Sequence, residues 1–313
     1  MRALDVRRRL DSDSIDEVSG LVDAAWHADG TRPLSDHLWL DLREGGRTGF
    51  AGALMRETDS GTLVGYAQVS RGNTQRGLTS WSLDVIIHPH HRYDSREIAP
   101  PLVRAALDVV ADEGGGHLHW WVFQPNNLHA DMATEFGLAP GRRLLQMRVP
   151  LPLSGPPSTL ATRPFRPGHD EDTWLEVNNA AFAHHPEQGG WEREVLESRE
   201  REAWFDTDGF LLHWQDEKLA GFCWTKVHEP GGTCDEHGNP MGEIYVIAVA
   251  PWAAGTGLGS RLVRAGLEHL ARRGVATGML YVDQDNTRAV AMYESLGFVT
   301  HHVEVAFVGE VRP

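Results

Sequence analysis

The residues best spaced for chemistry lie near the end of the chain. The run Val249-Ala250-Pro251-Trp252-Ala253-Ala254-Gly255-Thr256-Gly257-Leu258-Gly259-Ser260-Arg261-Leu262-Val263 has the pattern of a buried strand stopped by proline, a glycine-rich loop, and an amphipathic helix with apolar residues at 262, 263, 267 and 270. Glycines at 255, 257 and 259 let backbone N–H groups converge on the helix N-terminus. That end carries roughly half a positive charge and favours a phosphate. Taken alone, the loop is equally an ordinary tight turn before a helix. Downstream, Asn286, Ala289, Val290, Tyr293 and Gly297 fall on one helical face, directly after the strand Leu280-Tyr281-Val282. Tyr293 could simply pack beside Val290 and Leu296; the polar Asn286 that opens the stripe sets it apart. Cys223 suits a core. His228, Cys234 and His237 carry metal-ligating atoms, yet their spacing fits no strong ligand pattern and a hydrophilic loop accounts for them better.

These groups need a scaffold, and the chain spells one twice. Val149 to Ser158 holds four prolines and no helical or strand period, the mark of a linker. We therefore expect an N-terminal domain over 1–150, a linker over 151–160 and a C-terminal domain over 161–313. Leu63 to Val69 matches Leu219 to Thr225, and Val85-Ile86-Ile87-His88-Pro89 matches Ile247-Ala248-Val249-Ala250-Pro251. A helix follows each proline, with Leu102-Val103-Arg104-Ala105 against Leu262-Val263-Arg264-Ala265. Then come a strand (His117 to Phe123, or Met279 to Val282) and a helix ending at Gly137 or Gly297, each suited to a left-handed C-terminal position. A last strand, Leu144 to Val149 or His302 to Val308, is expected to close each half. Strands alternating with helices give a mixed α/β class, repeated in tandem.

Composition bounds what such a chain does. Its 313 residues suit two domains of ordinary size, and 41% hydrophobic with 23% charged residues excludes wholesale disorder. The balance of 29 basic against 44 acidic residues, 29 − 44 = −15, argues against a general nucleic-acid binder but not against an anionic ligand in a local pocket. No run approaches the ~20 apolar residues of a membrane helix, and no signal-peptide pattern opens the sequence. With two cysteines, a disulfide framework is not expected; a cytoplasmic setting without membrane contact is.

Together, the glycine loop and the Asn286-to-Phe298 stripe resemble the two signatures of the GNAT superfamily of N-acetyltransferases. The resemblance implies two tandem GNAT domains, with strands four and five of the second splayed around an acyl-CoA. The pyrophosphate would rest on amides of Ala254, Gly255, Thr256, Gly257, Leu258, Gly259 and Ser260, with Asn286 and Ala289 nearby. The thioester would lie beside Ile247, Ala248 and Val249, Val249 being favoured to bind the oxyanion. Ala254 departs from the family, which usually has Gln or Arg there, as does Gly255, where a second basic residue is frequent.

Further blocks narrow the resemblance. Val177-Asn178-Asn179-Ala180-Ala181-Phe182-Ala183-His184-His185-Pro186-Glu187-Gln188-Gly189-Gly190-Trp191, Glu202-Ala203-Trp204-Phe205-Asp206, Trp224-Thr225-Lys226-Val227-His228 and Gly242-Glu243-Ile244-Tyr245-Val246 resemble the mycothiol synthases, a family of tandem GNAT enzymes. That implies acetyl transfer from acetyl-CoA to the cysteinyl amine of desacetylmycothiol, without a metal. An alkylammonium must lose a proton before it attacks; the resemblance assigns that general base to Glu243, and the general acid that protonates the departing CoA thiolate to Tyr293, whose ordinary pKa of ~10 suits the task. It also assigns acceptor contacts to Glu187, Lys226, Glu243 and Tyr281, and to Asp36, where the family has a longer glutamate. By themselves Lys226 would be an exposed strand-end lysine and Glu187 a surface charge.

The first half lacks each chemical position. Between Pro89 and Leu102 lie twelve residues, against ten between Pro251 and Leu262, with no glycine and with Asp94 and Glu97 set to repel a pyrophosphate. Arg92 and Arg96 could partly offset them. Ala133 stands in place of Tyr293, and Ser80-Trp81-Ser82 in place of Glu243, with no carboxylate before Asp84. A structural, non-catalytic half that walls the active site is expected, and a monomer, because a tandem chain can satisfy its own pseudo-dimer interface. Two other readings compete: a GNAT acting on a different amine, which would not need the His-Pro-Glu-Gln-Gly-Gly-Trp block, and a non-enzymatic acyl-CoA-binding regulator, which would not need both Glu243 and Tyr293.

Overall fold

The computed structural model describes residues 1–30, 33–75, 78–183, 185, 188–228, 233–235 and 237–313. The chain runs β1 (Arg2–Arg7), α1 (Ser12–Asp29), α2 (Asp36–Arg43), β2 (Phe50–Glu57), β3 (Leu63–Gln75), β4 (Leu78–Ile87), α3 (Ser95–Asp112), β5 (Gly116–Phe123), α4 (Asn127–Glu135) and β6 (Ala139–Pro150). It continues with β7 (Arg163–Pro164), α5 (Glu171–Ala181), α6 (Arg193–Glu200), β8 (Phe210–Gln215), β9 (Lys218–Val227), β10 (Gly242–Val249), α7 (Leu258–Arg272), β11 (Thr277–Asp283), α8 (Thr287–Ser295) and β12 (Val299–Val311).

Two compact units result, but not by cutting at the linker. The first is Met1–Arg143 with Val303–Pro313; the second is Leu144–His302. Within the first, β1, β2, β3 and β4 pair antiparallel in sequence order, and β5 joins β4 in parallel. Its sixth strand is the end of the chain: Glu304 to Val311 of β12 runs antiparallel to Phe123 to Gly116 of β5. Within the second, β8, β9 and β10 are antiparallel and β11 is parallel to β10. Its closing strand comes from the first half of the sequence, Leu144 to Pro150 of β6 against Asp283 to Thr277 of β11. The expectation that each half closes on its own last strand is therefore corrected, and with it the boundary at 150. The two strands share one alternating pattern, so side-chain period alone does not choose the neighbour.

Helices cover both faces of each sheet. In the first unit, Ile98, Leu102, Val103, Ala106 and Val110 of α3 pack with Val64, Ala67 and Leu83, while Val18, Leu21, Val22, Leu38 and Leu42 of α1 and α2 join Leu54, Tyr66 and Ile86. In the second, Trp174 of α5 and Leu196 of α6 share a core with Phe210, Phe222, Trp224, Val246 and Ala248. On its other face α7 presses close: a Cβ at Gly266 would fall 2.5 Å from the Cys223 sulfur, so only glycine fits. Cys223 is buried there, with its thiol pushed up to about 12 by loss of solvent, a packing residue with little thiolate. The proline-rich segment after β6 forms neither helix nor strand and is fastened to α7, Ser158 N–H donating to Glu268 Oε1 at 2.6 Å.

Candidate active site

Strand β10 positions the site. Its residues, Gly-Glu-Ile-Tyr-Val-Ile-Ala-Val, are mostly β-formers. Against β9 the register runs Glu243–Lys226 and Ile244–Thr225, then slips to Val246–Trp224, leaving Tyr245 as an extra residue. Such a bulge bends a strand and increases its twist. Pairing with β11 covers Gly242–Gly278 and Glu243–Met279 and stops. From Glu243 onward the two strands part, as the splayed pair expected from the sequence requires, and Ile247, Ala248 and Val249 lie along one side of the fork with β9 as their partner strand.

Glu243 sits at the base of the fork, 8% exposed. Its Oε2 lies 3.0 Å from His228 Nε2. Lys226, its register partner, is 7% exposed rather than the exposed lysine its sequence position suggested. The ammonium lies 4.6 Å from the Trp204 ring centroid and 5.1 Å from that of Tyr245, within cation–π range. Tyr245 in turn accepts a hydrogen bond from Arg199 Nε at 2.8 Å, and that guanidinium stacks over Trp191 at 4.2 Å. Asn179 clamps the backbone of Trp191, accepting its N–H and donating to its carbonyl, both at 2.9 Å. The asparagine and tryptophan of the most distinctive sequence block thus hold one loop. Glu187, in the same block, lies outside the described residues.

Two contributors were invisible in the sequence of the second half. Gln146 Nε2 donates to the Tyr281 hydroxyl at 3.0 Å, and Gln146 Oε1 accepts from Arg148 Nε at 2.8 Å. Both glutamine and arginine ride on the exchanged part of β6. Cα pairing places Lys226, Glu243, Met279 and Arg148 in one row across four strands, hence on one sheet face, with Tyr281 and Gln146 two residues along.

Beyond the fork, a short 3₁₀ turn (Pro251–Ala253) leads through Ala254 and Gly255 to α7. Gly255 and Gly257 adopt φ of +83° and +73°, which side chains resist. Gly257 caps the helix without any side-chain oxygen on its first amides. The neighbouring hydroxyls turn to the loop itself, Thr256 Oγ1 to the Ala253 carbonyl and Ser260 Oγ to that of Gly257, each at 3.0 Å. The amides at Leu258, Gly259 and Ser260 keep the helix-end polarity that suits a pyrophosphate.

Tyr293 is 6% exposed on α8, its ring edge-on to Phe298 with centroids 5.7 Å apart. Burial holds its phenol well above the ordinary value, with a smaller push from Cys223, so the group is protonated through the neutral range. Asn286 caps α8, its Oδ1 accepting Ala289 N–H at 3.2 Å. Asn126 caps α4 in the same way in the half that lacks the other chemistry, so this asparagine serves the helix end in both repeats.

The first unit repeats the frame without these groups. Ser82 pairs with Ser70 and His119 where Glu243 pairs with Lys226 and Met279. Ala133 is buried in the place of Tyr293. At the start of α3, Asp94 and Glu97 both pair with Arg2. Arg92 and Arg96, which could have offset them, face Asp29 and Asp131 instead. Asp36 opens α2, half-buried. Among the described residues no three His, Cys, Asp or Glu side chains gather as a metal site, and no helix is long and apolar enough to cross a membrane.

Residues 174–298, which hold the fork, the glycine loop and Tyr293, match the model of the acetyltransferase (GNAT) family. A mycothiol acetyltransferase of Acidimicrobium ferrooxidans is 41% identical over 286 residues, 90% of this chain and 89% of that protein. The chain belongs to the mycothiol acetyltransferase family. A second member, from Thermobispora bispora, is 41% identical over 93% of this chain and 94% of its own. Among solved structures, a GCN5-related N-acetyltransferase from Sphaerobacter thermophilus superposes with a TM-score of 0.69 at 21% identity, covering 99% of this chain and 96% of that one. A tandem GNAT protein from the clavulanic acid biosynthesis pathway gives 0.69 at 16% identity, covering 100% and 99%. These two share the fold, and the family's acetyltransferase class places this chain among acyl-CoA-dependent enzymes.

Proposed function

We propose that the enzyme transfers the acetyl group of acetyl-CoA to the cysteinyl amine of desacetylmycothiol, in the cytoplasm and as a monomer. The fork at Glu243 carries the reading: a buried carboxylate stands where β10 and β11 part, on the face that also presents Lys226 and Tyr281. The α7 amides from Leu258 to Ser260, with the loop from Ala254 to Gly257, hold the pyrophosphate, so the missing side chain at Ala254 is offset by backbone donors. The thioester carbonyl lies beside Ile247 to Val249. Glu243 removes one proton from the acceptor ammonium and later releases it to solvent; the freed nitrogen lone pair forms the C–N bond, the amide of Val249 stabilises the oxyanion, and the nitrogen's second proton passes to solvent as the intermediate collapses. When the C–S bond breaks, Tyr293 gives its proton to the CoA thiolate and later recovers one from solvent. Lys226, Tyr281 and Glu187 hold the hydroxyl-rich remainder of the acceptor. The test is release of CoA from acetyl-CoA in the presence of desacetylmycothiol, resolved by chromatography because the acceptor carries its own thiol, with the product weighed by mass spectrometry. A product heavier by one acetyl group, attached at nitrogen, is expected; CoA binding without turnover overturns the choice of acceptor.

A further inference from the structure

We infer that His228 is a positioning residue for the reaction: it fixes the carboxylate of Glu243 so that one oxygen is held and the other is free for the amine. The inference rests on Glu243 acting as the base. Among the described residues, the imidazole is the one hydrogen-bonding or ionic partner of that carboxylate, with Nε2 3.0 Å from Oε2. Both side chains are largely shielded, 12% and 10% exposed, so water competes poorly for the contact. The histidine is itself anchored, since it follows β9 directly and its backbone N–H donates to the Met241 carbonyl at 3.0 Å. Met241 immediately precedes β10, so imidazole and carboxylate are tied to the same two strand ends.

The chemistry fixes the direction of the bond. An ionised carboxylate only accepts, so the proton lies on Nε2 and, in neutral imidazole, Nδ1 is the bare nitrogen. Oε2 is thereby occupied. Oε1 remains the acceptor for the ammonium proton, and the glutamate loses the rotamer freedom that would let it swing from the fork. A base held within hydrogen-bond reach is the geometric condition for proton abstraction, and displacement by about 1 Å can cost ~10²-fold in rate.

A glutamine at 228 can place an amide N–H near the position of Nε2; an asparagine cannot reach it. His228→Asn and His228→Ala should lower kcat by ~10–100-fold while leaving the KM for acetyl-CoA unchanged, and His228→Gln should recover most of the loss. Adding His228→Ala to Glu243→Gln should cost nothing further, because the two act as a unit. If Gln and Asn variants turn over equally, or Ala retains full kcat, His228 does not position the base. If Glu243→Gln itself keeps full turnover, the base assignment fails first, and the two failures are told apart by that single control.

Discussion

Asp84 holds Ser35 twice: one carboxylate oxygen accepts both the backbone N–H and the hydroxyl of Ser35, each at 2.9 Å. This is the first carboxylate in the strand that corresponds to the one bearing Glu243, and it is consumed in fastening the start of α2. Asp84→Ala should strand two donors and lower unfolding stability by ~1–3 kcal/mol, seen as a reduced denaturant midpoint. Turnover per folded molecule should be unchanged. A loss of kcat as deep as that of Glu243→Gln would mean that the first unit takes part in the chemistry.

Glu243→Gln should cut turnover by ~10²–10³-fold with acetyl-CoA binding retained, because the amide keeps the shape and lacks the basic oxygen. Direct titration of acetyl-CoA alongside kcat separates the two effects. A loss of binding that matches the loss of rate would make Glu243 a structural residue of the fork.

Removing only the hydroxyl asks what the tyrosine does. Tyr293→Phe keeps the ring against Phe298, so thermal stability should hold while turnover falls by ~10²-fold. Because burial raises the phenol's pKa, its ionisation should add no alkaline loss of rate between pH 7 and ~10. A fully active Phe variant would leave Tyr293 as a core residue.

Much of this frame was legible in the sequence: the repeat, the glycine loop, the α8 stripe and the empty chemical positions of the first half. What escaped were relations set by pairing rather than by local pattern. Leu144 to Val149 alternates as it should, but nothing in its own residues says that it lies against β11, so Gln146 and Arg148 stayed out of the site. His228 stands fifteen positions before Glu243 and could be linked to it only once Val227 was known to face Gly242. Burial of Lys226 depended likewise on Trp204 and the bulged Tyr245 arriving from elsewhere.

The two helix starts that follow β4 and β10 should differ in anion binding. One is capped by Gly257 with bare amides; the other carries Asp94 and Glu97 paired to Arg2. Calorimetric titration should therefore give one acetyl-CoA per chain. Gly257→Ala should weaken that site, since a side chain at φ +73° costs roughly 1–2 kcal/mol. Two equivalent sites per chain would contradict the difference between the halves.

Glu200, at the end of α6, gives the fold a measurable pH dependence. Burial, with repulsion from Glu171 and Glu197, raises its pKa from 4.5 to about 7. Arg193 and Arg201 offset this only in part, and Arg193 also faces Glu171, Asp172 and Glu197. The folded state then binds more protons than the unfolded chain between those two values, and stability falls as pH rises through that window. The contribution is fully present below about pH 4.5 and gone above about pH 7. Glu200→Gln, which stays neutral throughout, should unfold at a higher temperature than the parent at pH 8, by a few degrees at most, and should lose that advantage at pH 5. Differential scanning calorimetry of both proteins at the two pH values isolates the term, since all other titrating groups are shared. Parallel pH trends would show that Glu200 ionises freely in the folded enzyme.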